Sequence, residues 1–350
     1  SNTQQSSGEF YEVLVFSNKL SPEDHAKVQA YLATKWGLES TVDSDADGLV
    51  DVDDTDADGD GVIDDLANDS GSEDSSQEQA LDPNGDEDSD GIKNSLDDYP
   101  LNSNLISADF APAKDMYGSV AYEDLWPEKG DYDFNDVIID YQYKYGKDGS
   151  GKVRQIEACI KITSYASFTN GVGLVLDGMA DKIESVSGVG LVNGITVGSK
   201  GIEDGNGDDA VIIISTNQKH DQAATLNVTI ALNEGIDKSE LGDAPHNLFI
   251  FSKSTRGREI HLPGHQHTAK MDTSLFKTGD DNTTSSTAST RYKTADDLPW
   301  ALHIAEKFDH PKEGKSIHEA YTKFADWAQS GGANSQDWFS NMSHRNADKI

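Results

Sequence analysis

A single cysteine, Cys159, stands in a chain of 350 residues, so no disulfide can form within it. Basic residues are scarce as well: 28 lysines and arginines face 63 aspartates and glutamates, a formal net charge of −35. Such a chain is repelled by nucleic acid and by anionic membrane surfaces, and neither is an expected partner. No apolar run approaches the length of a membrane span and no secretory leader is recognisable, so membrane insertion is not expected. Catalytic signatures are missing too. There is no G-x-S-x-G, no H-E-x-x-H and no P-loop, and no carboxylate pair stands apart as a glycosidase couple. The expectation is a protein that is not an enzyme. With no initiator Met before Ser1-Asn2, the chain reads as a monomeric fragment of a larger protein.

What the chain has in excess is aspartate, concentrated in one place. Residues 39–100 hold 23 acids against one base, Lys93. Within Asp43–Asp65, eleven of 23 residues are Asp, and they fall on a fixed beat. Asp43, Asp45, Asp47, Asp51 and Asp54, with Gly48 in sixth place, match the 1, 3, 5, 9, 12 ligand spacing of a calcium loop. A second loop follows with Asp56, Asp58, Asp60, Gly61 and Asp64, but Ala67 weakens its twelfth position. A third has Asp86, Asp88, Asp90, Gly91, Asn94 and Asp97. Carboxylates so closely spaced repel one another unless a hard, oxygen-seeking cation draws them together. Calcium is therefore the expected cofactor, and it replaces sulfur as the staple. The alternative is an acidic tract without order, which does not account for Gly at the sixth position three times. The units resemble thrombospondin type 3 repeats, D-x-D-x-D-G-x-x-D/N-x-x-D, and the ending Asp97-Asp98-Tyr99-Pro100 is typical of how such units close. The resemblance covers residues 43–100 and implies a calcium-stiffened linker.

Composition divides the chain into residues 1–38, a linker over 39–105 and a main domain over 106–350. Residues 9–38 predict a strand at Glu12–Phe16 and a helix capped by Ser21 and ended by Gly37, with Val28, Tyr31, Leu32 and Trp36 on one face. The piece resembles the final strand and helix of laminin-G or concanavalin-like domains, and implies the tail of an upstream lectin-like module.

In the main domain, Val137, Ile139, Tyr141, Tyr143 and Tyr145 alternate with polar residues, and Ile156, Ala158, Ile160 and Ile162 continue the pattern beyond a Gly-rich turn. Further strands are predicted at 172–176, 211–215, 225–232, 247–252 and 258–262. The fold class expected is all-β: an antiparallel, jelly-roll-like sandwich with short C-terminal helices. Near the end, Ser316 and Glu319 form a capping box ahead of the apolar stripe Ile317, Ala320, Tyr321, Phe324, Trp327 and Ala328, which Gly331-Gly332 stops.

The run YEDLWPEKGDYDFNDVIIDY, residues 122–141, carries a second chemical signal. Asp131, Asp133, Asn135 and Asp136 crowd a turn that feeds a strand, and alternating oxygens can converge on one cation. Such a turn can also cap its own backbone without metal, and both readings stand. The run looks like the opening signature of the LruC domain of secreted and surface proteins of Gram-negative bacteria. GREIHLPGHQHT, TSLFKTGDD, RYKTADDLPWALHI and FADWAQSGG resemble its later landmarks, over about residues 115–350. The resemblance implies an extracellular or cell-surface β-rich domain and strengthens the calcium reading.

Other candidates are weaker. The acidic loop Glu203–Asp209 fits no calcium template and reads as a solvated hairpin. His261, His265 and His267 lie on a Pro-Gly loop with no well-placed acid, which disfavours zinc. Trp126, with Glu123, Asp124 and Asp208, is a candidate ligand-binding set if the indole is exposed; the competing reading buries it. The function expected is a calcium-binding module of a surface adhesin presenting a lectin-like sandwich to a glycan or cell-surface protein. The alternatives are a structural spacer and a carbohydrate-targeting domain of an exoenzyme.

Overall fold

The computed structural model describes residues 81–350 apart from 191, 220, 221 and 285, together with Val28, Leu32 and Lys35. Those three isolated positions are helical, as the 21–37 pattern predicts; Val28 and Leu32 are half-buried and Lys35 is exposed. The strand expected at 12–16 and the loops built on Asp43–Asp54 and Asp56–Asp64 lie outside the described residues. Leu81–Ile350 is one compact unit.

Period-two alternation builds its centre. Strand β3 (Val137–Lys147) buries Val137, Ile139, Tyr141, Tyr143 and Tyr145 on one face, and β4 (Val153–Ser164) does the same with Ile156, Ala158, Ile160 and Ile162. The two pair antiparallel along their whole length. β1 (Ser107–Ala111) and β2 (Gly118–Tyr122) pair end to end along the other side of β3. β11 (Ala301–Ile304) then joins β2, and β8 (Gln222–Ile236) and β6 (Ile183–Ser187) extend the sheet beyond β4. A four-stranded sheet of β10 (Thr255–His261), β9 (Asn247–Ser252), β5 (Asn170–Leu176) and β7 (Ala210–Gln218) covers the inner face. All pairings are antiparallel, and the architecture is an all-β sandwich. Its core joins the inward residues of both sheets, among them Tyr143, Ile160, Leu174, Ile212 and Ile250. Each such side chain, fully buried, contributes roughly 1.5–3 kcal/mol relative to exposure.

Two smaller cores lie outside. Val211, Ile213, Phe249 and Phe251 are buried on the outer face of the small sheet. On the outer face of the β2–β11 edge, Ala121, Ile138, Leu302 and Ile304 meet Tyr132, Phe134 and the C-terminal segment. That segment carries short helices, as expected, but the stripe from Ile317 to Ala328 is not one continuous helix. It breaks into α1 (Ile317–Ala320) and α2 (Phe324–Gln329), because Tyr321 takes an extended backbone (φ −130°) and gives its hydroxyl to the Asp309 carbonyl at 2.5 Å. The stripe itself packs as expected, with Ile317, Ala320, Tyr321, Phe324 and Ala328 all buried. The third acidic loop is seated on the same unit: the Asp98 carboxylate accepts the Ala108 N–H at 2.9 Å, and Lys144 lies 3.6 Å from the centre of the Tyr99 ring.

Candidate metal centres

Two groups of carboxylates converge in the described residues. The first is the loop Asp86–Asp97. Gly91 at its sixth position has φ +97°, a left-handed conformation that suits glycine, and Asp86 Oδ2 accepts the Gly91 N–H at 3.0 Å. Asp86 and Asp88 both accept from the Asp90 N–H, at 3.1 and 3.2 Å, and Asp90 accepts from Ile92 at 2.8 Å. These turns bring one carboxylate oxygen of each of Asp86, Asp88 and Asp90 within 4.8 Å of one another. Asp97 stands close enough that burial and then the charges of Asp90 and Asp88 push its pKa up. Asp88 Oδ2, Asp90 Oδ2 and Asp97 Oδ2 are buried and have no hydrogen-bond partner among the described residues. A buried oxygen left unpaired costs free energy, and three of them lie on this one loop. Asn94 does not join them. Its amide nitrogen donates to the Asp82 carbonyl and to Glu87, both at 2.7 Å, and its oxygen accepts the Glu87 N–H. The ninth position is therefore a brace of the loop.

The second group lies between β2 and β3. The backbone at Gly130, Tyr132 and Phe134 is left-handed (φ +70°, +64° and +54°), alternating with Asp131, Asp133 and Asn135. For Tyr and Phe this conformation costs on the order of 1–2 kcal/mol each. Two features hold it. The Glu123 carboxylate accepts the N–H of Tyr132 at 3.1 Å and of Phe134 at 2.6 Å, and both rings are buried against each other and against Phe324. A side chain at Gly130 would put its first carbon 2.8 Å from Glu123 Oε2. The zigzag brings the carboxylates of Asp131 and Asp133 to within 4.8 Å of Glu123 and of each other, with Asp131 exposed and the other two buried.

The C-terminal segment closes over this turn. Gly314 N–H donates to Asp133 Oδ2 at 2.8 Å, and Ile317 N–H donates to the Tyr132 carbonyl at 2.8 Å. Asn135 gives its amide to Asp133 Oδ2 at 2.9 Å, and Asn135 Oδ1 is buried without a partner among the described residues. Burial, then the charges of Asp136, Asp133 and Asp131, push the Glu123 carboxyl well above its ordinary range. Burial chiefly raises Asp133 to about 6, and burial with the Asp124 charge raises Asp136 to about 8. Crowded carboxylates of this kind need either protons or a cation.

The carboxylates that converge are not the set picked out by local spacing. Glu123, foreseen as a ligand-docking residue, is the third carboxylate of the cluster. Asp136 is not one of the three converging carboxylates and accepts the Asp124 N–H at 2.8 Å, and Asp124 is itself buried and holds Asn170 at 2.7 Å. Asn135 sits beside the cluster through Asp133. The local spacing of 131, 133 and 135 could not reveal Glu123. The hairpin register does, because Tyr122 pairs with Val137 and the next residue outward meets the turn.

Trp126 is not an exposed platform. It is fully buried, packs on Phe276 and Tyr292 and donates Nε1–H to Asp281 Oδ1 at 2.9 Å. Asp208 is exposed. The loop from Glu203 is only partly solvated, since Glu203 is buried and ion-paired to Arg256 at 2.7 Å. Nor does His261 lack an acid: Glu259 Oε2 lies 2.9 Å from its Nε2, and Arg256 and Thr268 share the same carboxylate. This network is buried, and among the described residues no histidine joins a metal-ligand cluster.

Comparison with solved structures finds a putative lipoprotein from Bacteroides ovatus, 17% identical, with a TM-score of 0.48 over 67% of this chain and 74% of that one. Comparison with curated proteins finds no match. Residues 151–339, from β4 to beyond α2, match the family model described as a domain of unknown function, DUF4842, and with more than half its length inside that model the chain belongs to the DUF4842 family.

Proposed function

We propose that the protein is a calcium-binding module of a secreted or surface-exposed bacterial protein, in which bound calcium stiffens the segment leading to the sandwich and fixes the turn at Asp131, so that the sandwich is presented to a glycan or cell-surface protein. One observation carries the reading. In the loop Asp86–Asp97, three buried carboxylate oxygens, on Asp88, Asp90 and Asp97, have no partner among the described residues, at the third, fifth and twelfth positions of a calcium-loop spacing. Asp86, Asp88, Asp90 and Asp97 would hold the ion there. Glu123, Asp131 and Asp133, with Asn135 Oδ1 beside them, would hold one at the turn. The ion supplies positive charge where the chain offers crowded carboxylates.

The adhesin role, the LruC and thrombospondin type 3 resemblances and the extracellular location belong to the same proposal. They are supported by the repeated spacing over residues 43–97, by the signature run at 122–141 and by the single cysteine. Extracellular calcium modules bind at about 10⁻⁴–10⁻³ M, a range that external calcium fills. Calorimetric titration of the full chain with CaCl2 tests it. The expected result is saturable binding that loses one site in Asp88→Asn/Asp90→Asn. An absence of binding heat at millimolar calcium overturns the proposal.

A further inference from the structure

Away from both carboxylate groups, a cleft of about 580 Å³ opens at the β11 edge of the sandwich, between the β8–β9 connection, the turn after β10 and α2. That volume lies in the range of small-ligand sites. One wall is Trp327, half-buried and held in place by Phe324 and Trp338 at ring distances of 5.9 and 5.3 Å. The indole face is thus rigid, and its Nε1–H has no partner among the described residues. Around it stand Asp243, His265, Lys293, Asp297 and His303. His303 is committed to the Tyr141 hydroxyl at 2.7 Å. The side chains of Asp243, His265, Lys293 and Asp297 make no hydrogen bond or ion pair with any described residue, although Lys293 and His265 are half-buried.

The chemistry of this lining selects its ligand. Burial pushes His303 down to about 4 and lowers His265, so neither ring is charged at neutral pH. One ammonium and two carboxylates remain. An anion would meet two carboxylates for one lysine, and an apolar molecule would strip water from all three charges without replacing it. A neutral molecule rich in hydroxyls uses both the acceptors and the donor, and its C–H face can lie on the indole. We infer that this cleft is a binding site for a neutral oligosaccharide, with Trp327 as stacking platform and Lys293, Asp243 and Asp297 as hydroxyl partners. The inference rests on the glycan-presenting reading above and moves the docking site from the set of Trp126, Glu123, Asp124 and Asp208 to the β11 edge.

The test is binding of the full chain to an array of neutral hexose and N-acetylhexosamine oligosaccharides beside acidic ones, followed by calorimetry on the strongest neutral ligand. Binding to a neutral oligosaccharide is expected, at least tenfold weaker in Lys293→Ala/Asp297→Ala, whose thermal melt should match the parent, and several-fold weaker in Trp327→Phe, which preserves the packing. Binding should survive EDTA at a temperature where the chain stays folded, and the calcium titration should be the same in parent and double variant. Absence of any neutral ligand, preference for acidic ones, loss of binding in EDTA, or full affinity in the double variant each overturn the assignment. Failure of the calcium reading would show instead as missing CaCl2 heat with glycan binding intact.

Discussion

Asp131→Asn separates a cation site from a self-capping turn, because the two readings predict different responses. Asp131 is the exposed member of the Glu123–Asp131–Asp133 cluster, and its side chain makes no hydrogen bond with a described residue, so the substitution costs little structure. Its charge acts unfavourably on Glu123, Asp124, Asp133 and Asp136. In EDTA, therefore, the variant should melt slightly above the parent. In calcium the order reverses, since a ligand is gone. An ion at a hundredfold excess over Kd stabilises by about 2.7 kcal/mol, and a tenfold loss of affinity cuts that to about 1.4. For a unit of this size the difference lowers Tm by about 2–3 °C. Calorimetric melts of parent and variant in EDTA and in several calcium concentrations give the comparison, and the linker loops, identical in both, cancel.

A pH series adds a second sign. Asp133 and Asp136, at about 6 and about 8 when folded, hold protons that the unfolded chain releases near 3.8. In EDTA stability should consequently fall as pH rises through 4–8. In calcium it should fall instead as pH drops below about 6, where protons displace the ion. An equal Tm loss for Asp131→Asn in both media, or no calcium dependence, would refute the reasoning.

Other outcomes follow from the same geometry. Trp126→Ala should cost about 3–5 kcal/mol in urea unfolding, since a fully buried indole and its bond to Asp281 are removed; unchanged stability would return Trp126 to the surface. At Glu259 burial opposes ionisation, but the His261 hydrogen bond and the charges of His261 and Arg256 outweigh it and hold the carboxyl at about 2, against an ordinary 4.5. That depressed pKa contributes stability on the order of 3 kcal/mol above pH 4.5, lost as pH falls from 4.5 to 2. Acid melts of Glu259→Gln should lack this component, and an unaltered acid limb would contradict it. Calcium removal should loosen residues 43–100 in small-angle scattering of the full chain, and superimposable profiles with calcium and EDTA would count against a stiffened linker.

The long strands were legible because each has one face on the core: the odd residues of β3 from Val137 to Tyr145 are buried, while Asp140, Gln142 and Lys144 are half-exposed. β2, whose five residues are all buried, shows no alternation and escaped, as did β11 with only four residues; β5, also buried throughout, was read instead from its continuous apolar run. The convergence of Asp86, Asp88 and Asp90 was readable from spacing, since the three carboxylates are local. The turn at 131 was readable only in part, because Glu123 comes from the end of a neighbouring strand. The cleft at β11 left no local signal at all. Its six chemical groups come from five separated stretches, and Trp327 shows the same helical spacing whether it serves the core or a ligand.

The seating of β3 bears on how this family can be handled as separate pieces. The family match begins at residue 151, within the turn before β4, whereas β3 ends at Lys147. A protein cut at that limit would keep β4 but lose the strand that hydrogen-bonds to it from Val137 to Lys147. A twelve-residue interior strand would become a bare margin, with a row of amide groups and the inward Ile156, Ile160 and Ile162 open to pairing with any other chain. Residues 311–317, which lie over Asp133, Asn135 and Tyr132, would lose their seat as well. The stretch of sequence the family shares is thus shorter than the stretch that closes on itself, and a soluble excised piece should start before Ser107.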